Sequence, residues 1–169
     1  MTDDAILEHL RIRAESIPPR SDGVPNLHAV ATSTDVADAE NQLGVELPRL
    51  LKRIYLEVAN GGCMLGPGYG LLGIYGGYDN GGDGDAVKLS LEMAQNYEWW
   101  DGSFVICDWG CTMMSCVDCS DDDYPVYRYD GNFVGDSIGD DEPPDDAWYA
   151  ESDTFAEWLM NPNCHESAR

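Results

Sequence analysis

Four cysteines fall within thirteen residues, Cys107, Cys111, Cys116 and Cys119, a thiol density that zinc could use as a tetrahedral ligand set. Structural zinc sites of this kind present each pair from a tight Cys-x-x-Cys turn, and only Cys116 and Cys119 have that spacing. Cys107 and Cys111 flank what reads as an ordinary hairpin turn. The thiols are therefore expected in the core, where free cysteine packs as a small hydrophobe. The run Asp79-Asn80-Gly81-Gly82-Asp83-Gly84-Asp85 has the oxygen density that calcium favours. Read as a helix-flanked calcium loop from Asp79, it places Ser90 where a bidentate glutamate is required. Read as a GGxGxD repeat, it places Ala86 where an aspartate is required. No metal and no cofactor is expected.

Gly68-x-Gly70-x-x-Gly73 spells the dinucleotide fingerprint, which needs a strand before it and a helix after it so that the helix N-terminus meets a pyrophosphate. Here a helix precedes and a strand follows, which favours turns and close packing. The histidines (His9, His28, His165) lie in terminal segments, and none pairs with a nucleophile at a usable spacing. Cys164-His165 reads as a surface dipeptide. No two carboxylates stand out as an acid–base pair, and no basic stripe with interleaved aromatics is present for nucleic acid. These residues predict a binding protein rather than an enzyme.

The elements that must position such a surface begin with Met1–Glu15, a short amphipathic helix with early acids and later arginines. It lacks the basic start and apolar middle of an export signal, and no apolar run reaches membrane-spanning length, so a cytoplasmic protein is expected. Three prolines in residues 18–26 mark a loop. A helix then follows, with Thr34 placed to cap it and Val36, Ala39 and Leu43 on one face, and Gly44 ends it. Pro48 suits the first turn of the next helix, whose Leu50, Leu51, Ile54, Tyr55 and Val58 form an amphipathic stripe that Asn60-Gly61-Gly62 stops. Leu71, Leu72, Ile74 and Tyr75 suggest a short strand. Val87, Leu91 and Ala94 suggest a helix to about Tyr97, capped by Asp85. Phe104–Cys107 reads as a strand, Asp108-Trp109-Gly110 as a turn, Cys111–Asp118 as the hairpin partner and Val126–Tyr129 as a further strand. The acidic loop GDDEPPDD leads to a final helix in which Phe155, Trp158 and Leu159 share a face. Helices followed by sequentially adjacent strands predict one α+β domain with a mainly antiparallel sheet packed with helices.

The chain of 169 residues carries a net charge of −23, unevenly placed. Ten acids face six bases through residue 78, and 22 acids face three bases (Lys88, Arg128, Arg169) thereafter. Such a field repels nucleic acid and anionic membranes, and it speeds encounter with a cationic partner. High acidity also serves solubility, so charge alone leaves both readings open.

The order of letters resembles the SUKH superfamily, which includes Smi/Knr-type regulators of cell-wall assembly and bacterial immunity proteins. The resemblance rests first on Glu40, Leu43, Gly44, Val45, Leu47, Pro48, Tyr55, Asn60, Gly61 and Gly62. It continues through Trp99, Ile106, Asp108, Gly110, Pro125, Val126, Tyr127, Tyr129, Asp130, Phe155, Trp158 and Leu159, covering roughly residues 34–160. The cysteine- and methionine-rich hairpin arm and the acidic insert at 140–146 depart from the pattern. Residues 1–30 stand outside it as an N-terminal helix and proline-rich loop, leaving 31–169 as the SUKH-like domain. The resemblance implies an immunity protein that neutralises a cognate toxin, such as a basic nuclease-type domain, or else a regulatory or scaffold protein of cell-wall assembly with an endogenous partner. The contacts expected are Asp121, Asp122, Asp123, Asp140, Asp141, Glu142, Asp145 and Asp146, with Tyr124, Trp148 and Tyr149 as anchors. Glu40 and Asp108 are expected to brace backbone rather than bind. The reduced protein is expected to hold no stoichiometric zinc or calcium and to melt at the same temperature with and without EDTA. Elemental analysis and thermal melts check this, since a structural zinc would contribute several kcal/mol or more.

Overall fold

A computed structural model describes residues 1–16, 27–66, 69–79, 84–96, 101–133 and 147–161. Helix α1 (Asp3–Ser16) turns Ile6, Leu7 and Leu10 into the core that the later described elements share, and Ala14 is buried as well. Helix α2 (Ser33–Leu43) follows, capped by Thr32 rather than Thr34. The reason lies three residues on. Thr32 Oγ1 accepts from the Asp35 amide at 3.1 Å while the Thr32 amide donates to Asp35 Oδ2 at 2.8 Å. That reciprocal box requires an acid at the third helical position, and Thr34 would find Ala37 there.

Gly44 ends α2 at φ +70°, donating its amide to Glu40 O at 2.9 Å. Pro48 stands at the N-cap of α3 (Arg49–Glu57), whose Leu50, Leu51, Ile54 and Tyr55 are buried. The chain then forms a small hairpin, β1 (Gly62–Gly66) and β2 (Tyr69–Leu71), and helix α4 (Ala86–Asn96). Asp85 caps α4 by accepting the Lys88 amide at 3.0 Å. Strands β3 (Ser103–Gly110), β4 (Met113–Asp118), β5 (Val126–Asp130) and β6 (Trp148–Ser152) make an antiparallel sheet in that order, and α5 (Phe155–Met160) closes the chain's described part. The architecture is the α+β arrangement that the element order predicts. No described helix is long and apolar enough to cross a membrane.

Three local expectations change. Of Leu71, Leu72, Ile74 and Tyr75, only Leu71 is in a strand; Leu72 donates to Ile106 O at 2.9 Å, and the rest forms turns. Asp108, Trp109 and Gly110 continue β3 instead of turning. The Asp108 side chain does accept the Gly110 amide, at 2.7 Å, but this bond sits in a register shift between Asp108 and Gly110. The turn falls at Cys111 and Thr112, with φ of 52° and 63°. Trp148 and Tyr149, expected as loop anchors, begin β6, a strand hidden in the sequence by the acidic stretch before it.

Asn60 fixes the chain between α3 and α4. Its Nδ2 donates to Ile74 O at 2.6 Å, its Oδ1 accepts the Ile74 amide at 2.8 Å, and its carbonyl accepts the Tyr78 amide at 3.0 Å. Gly61 (φ +83°) passes so close to the clamped loop that a Cβ there would lie 2.5 Å from Gly73 N. The Tyr55 hydroxyl donates to Leu72 O at 2.8 Å from the other side. Asn60→Ala is expected to cost roughly 2–5 kcal/mol, because a buried amide and a buried carbonyl each lose a partner. Urea denaturation with an unchanged m-value is the measurement.

Candidate functional site

The β4–β5 turn carries Asp121, Asp122 and Asp123, all exposed. It is a structured turn: Asp121 Oδ1 accepts the Asp123 amide at 2.9 Å and Asp121 O accepts the Tyr124 amide at 3.0 Å. Tyr124 is half-buried against the core at φ +53°. Strand register decides what joins this cluster. Val126 faces Ser152 and Tyr129 faces Trp148, so Tyr124 and the Trp148–Tyr149 pair lie at opposite ends of β5. Trp148 is packed, not free, with its ring 5.5 Å from Tyr129 and 6.3 Å from Tyr127. Tyr149 is 43% exposed. Asp140, Asp141, Glu142, Asp145 and Asp146 lie outside the described residues.

Beneath β6 is a polar cluster that sequence reasoning missed. Glu151 forms an ion pair with Arg128, and their side chains are 5% and 1% exposed. Glu151 Oε2 also accepts from Ser115 Oγ at 2.5 Å and from Trp158 Nε1 at 2.8 Å. Trp109 Nε1 donates to Ser115 Oγ at 2.7 Å, and the Arg128 guanidinium lies 4.9 Å from the Trp109 ring and 5.9 Å from that of Tyr149. The available signal was Arg128 itself, one of three bases in the acidic half, placed mid-strand where a buried charge requires a partner. The cluster borders a shallow pocket of about 620 Å3 between β6 and α5, where Glu151 is joined by Asp153 and Glu157. Ser152 faces Val126, which puts Asp153 at the same end of the sheet as Asp121, Asp122 and Asp123. This end is thus rich in carboxylates on a rigid frame. It suits a cationic protein surface.

The family is decided by the framework that holds these groups. The family model described as SMI1 / KNR4 family (SUKH-1) matches residues 30–161. The chain belongs to this family. No curated protein matches the sequence. Within the SUKH-1 region, Glu40 and Asp108 are engaged with backbone: Glu40 Oε1 accepts the Leu47 amide at 2.9 Å and binds Lys52 Nζ at 3.0 Å, and Asp108 accepts the Gly110 amide. Leu43 and Val45 pack partly buried beside Leu47, which is fully buried. Helix α1 precedes the matched residues yet contributes four buried side chains.

The four cysteines Cys107, Cys111, Cys116 and Cys119 of this SUKH-1 chain separate by burial. Cys107 and Cys116 are buried, Cys119 is half-buried and Cys111 is exposed at the β3–β4 turn. Burial pushes the Cys107 and Cys116 thiols well above their ordinary range, and it pushes Cys119 up to about 12. Among the described residues, no group of three or more His, Cys, Asp or Glu is placed to hold a metal ion. Burial also lowers the His28 pKa, against the opposing charge of Asp79, and its ring meets Tyr78 edge-on at 5.8 Å. Glu151→Ala is expected to destabilise the protein by about 3–5 kcal/mol, because it removes the carboxylate paired with a buried guanidinium. Chemical denaturation checks this, with Glu157→Ala on the pocket rim expected to change stability by less than about 0.5 kcal/mol.

Proposed function

We propose that this SUKH-1 protein is a bacterial immunity protein: it binds a cognate toxin through its acidic surface and occludes the toxin's working face. The observation that carries this reading is how the charge is disposed. Arg11, Arg49, Lys52, Arg53, Lys88 and Arg128 each pair with a carboxylate of the same chain. Asp121, Asp122 and Asp123 project from a bonded turn with their carboxylates exposed, in a chain of net charge −23. A fixed acidic surface of this kind steers a basic protein into contact and lowers the cost of ordering the interface. A nuclease-type toxin domain, basic where it holds its nucleic acid, fits that surface. Catalysis forms no part of this proposal. The second reading is a Smi/Knr-type regulatory or scaffold protein of cell-wall assembly that binds an endogenous partner, and membership of the SMI1 / KNR4 family is compatible with either.

Sequencing the flanking genes and co-expressing the protein with any toxin domain encoded there separates the two readings. An immunity protein restores growth of toxin-expressing cells, whereas a scaffold leaves them dying. Stopped-flow mixing of the purified pair tests the electrostatics. The association rate is expected to fall roughly ten-fold or more as salt rises from low ionic strength to well above physiological, since the Debye length shrinks from about 30 Å at 0.01 M to about 8 Å at 0.15 M. Replacing Asp121, Asp122 and Asp123 together by Asn should slow association and flatten that salt dependence. A rate indifferent to salt would discard electrostatic steering.

A further inference from the structure

The loop held by Asn60 ends in a turn whose side chain has no role in the clamp. Gly77 N donates to Ile74 O at 3.1 Å, and the two central residues, Tyr75 and Gly76, have φ of +40° and +82°. A turn with both central residues left-handed favours Asn-Gly, and a bulky residue in its first central place is held against its steric preference. Burial of the ring does not compensate, since Tyr75 is 38% exposed. The ring stands at a groove of about 390 Å3 lined by α4, with Val87 and Leu91 as its apolar part and Gln42 contributed by α2.

The rim of this groove is acidic. Asp85 and Glu92 line it, and Asp38 on α2 acts on the Tyr75 hydroxyl together with Asp85 and Asp35. Lys88 is the one cation among the lining residues, and it pairs with Glu92 at 3.7 Å. An exposed aromatic face with carboxylates at its rim repels anions. It complements a flat, delocalised cation. Guanidinium stacks on aromatic rings more readily than the strongly hydrated ammonium of lysine.

We infer that the Tyr75 groove between α2 and α4 is a docking point for an arginine side chain of a protein partner, stacked on the Tyr75 ring with its charge among Asp38, Asp85 and Glu92. This rests on the proposed function for the existence of a basic protein partner. It adds a second contact surface, distinct from the β4–β5 turn. Strain retained at an exposed residue is then explained by binding rather than by folding.

The test uses the full chain and two probes of equal charge, hexa-arginine and hexa-lysine amide, titrated with detection by two-dimensional NMR. Hexa-arginine is expected to move the resonances of Tyr75, Val87 and Leu91 first. It should bind there roughly two- to five-fold more tightly than hexa-lysine, the size of an exposed cation–π contact. Tyr75→Asn should bring that ratio to about one while the melting temperature stays equal or rises, because asparagine suits the turn better. Asp38→Asn with Glu92→Gln, which leaves the turn untouched, should weaken both peptides at the groove and so covers a failure of the first variant to fold. Shifts spread evenly over the acidic surface, or an arginine preference that survives Tyr75→Asn, would overturn the inference. Toxin protection is read separately: protection without groove shifts removes this inference alone, and groove shifts without protection remove the immunity reading alone.

Discussion

The sheet depends on the carboxylate of Glu151. A buried guanidinium is tolerated only when its charge is met within the protein, and Glu151 on β6 meets Arg128 on β5. The same carboxylate takes the Ser115 hydroxyl from β4 and the Trp158 indole from α5, and through Ser115 it reaches Trp109 on β3. One acid therefore ties together every strand of the larger sheet and the last described helix. The cost of removing two charges from water makes such a cluster a device for register more than for stability. A slip of β6 by one residue would turn Glu151 to the opposite face and leave Arg128 without this pair.

The Asn60 clamp does the equivalent work in the first half of the chain. Its side-chain amide replaces the missing strand partner of Ile74, while Gly61 allows the backbones to touch. With the clamp in place, Tyr55, Leu72 and Tyr78 are fixed around it, and the small hairpin is attached to β3 through Leu72 and Ile106. Each half of the chain thus has its own polar anchor. Ser90 couples the two halves again: its hydroxyl donates to Ala86 O within α4 and accepts the Val105 amide of β3.

A chain of net charge −23 must fold against its own repulsion, and the arrangement of its bases shows how that is managed. Arg53 bridges Asp4 of α1 and Glu57 of α3, and Lys52 joins Glu40 to Glu46 across the α2–α3 connection. Arg53 and Lys52 are thus spent on holding helices together. The acids of the β4–β5 turn have no such duty among the bonds that shape it, and this separation of charge gives the surface its capacity to bind.

Much of the frame was legible in the letters. Gly44, Pro48 and the stripe through Leu50, Leu51, Ile54 and Tyr55 act locally, by φ preference and helical period, so they hold whatever surrounds them. The Thr32–Asp35 box was equally local, though the neighbouring Thr34 concealed it. Glu40 and Asp108 bond backbone seven and two residues away, and both showed as acids beside glycine breaks. The tertiary structure alone decided the rest. That Asp108 marks a bulge and not a turn depends on β4 pairing alongside, and that Trp148 begins a strand depends on β5 being there to accept it. Arg128 and Glu151 meet across 23 residues of sequence, and Asn60 and Ile74 across 14. Periodicity records which face of an element is apolar, but it carries no address for the partner of a buried polar group. That address is set by strand register and loop closure, which exist only once the whole chain has packed.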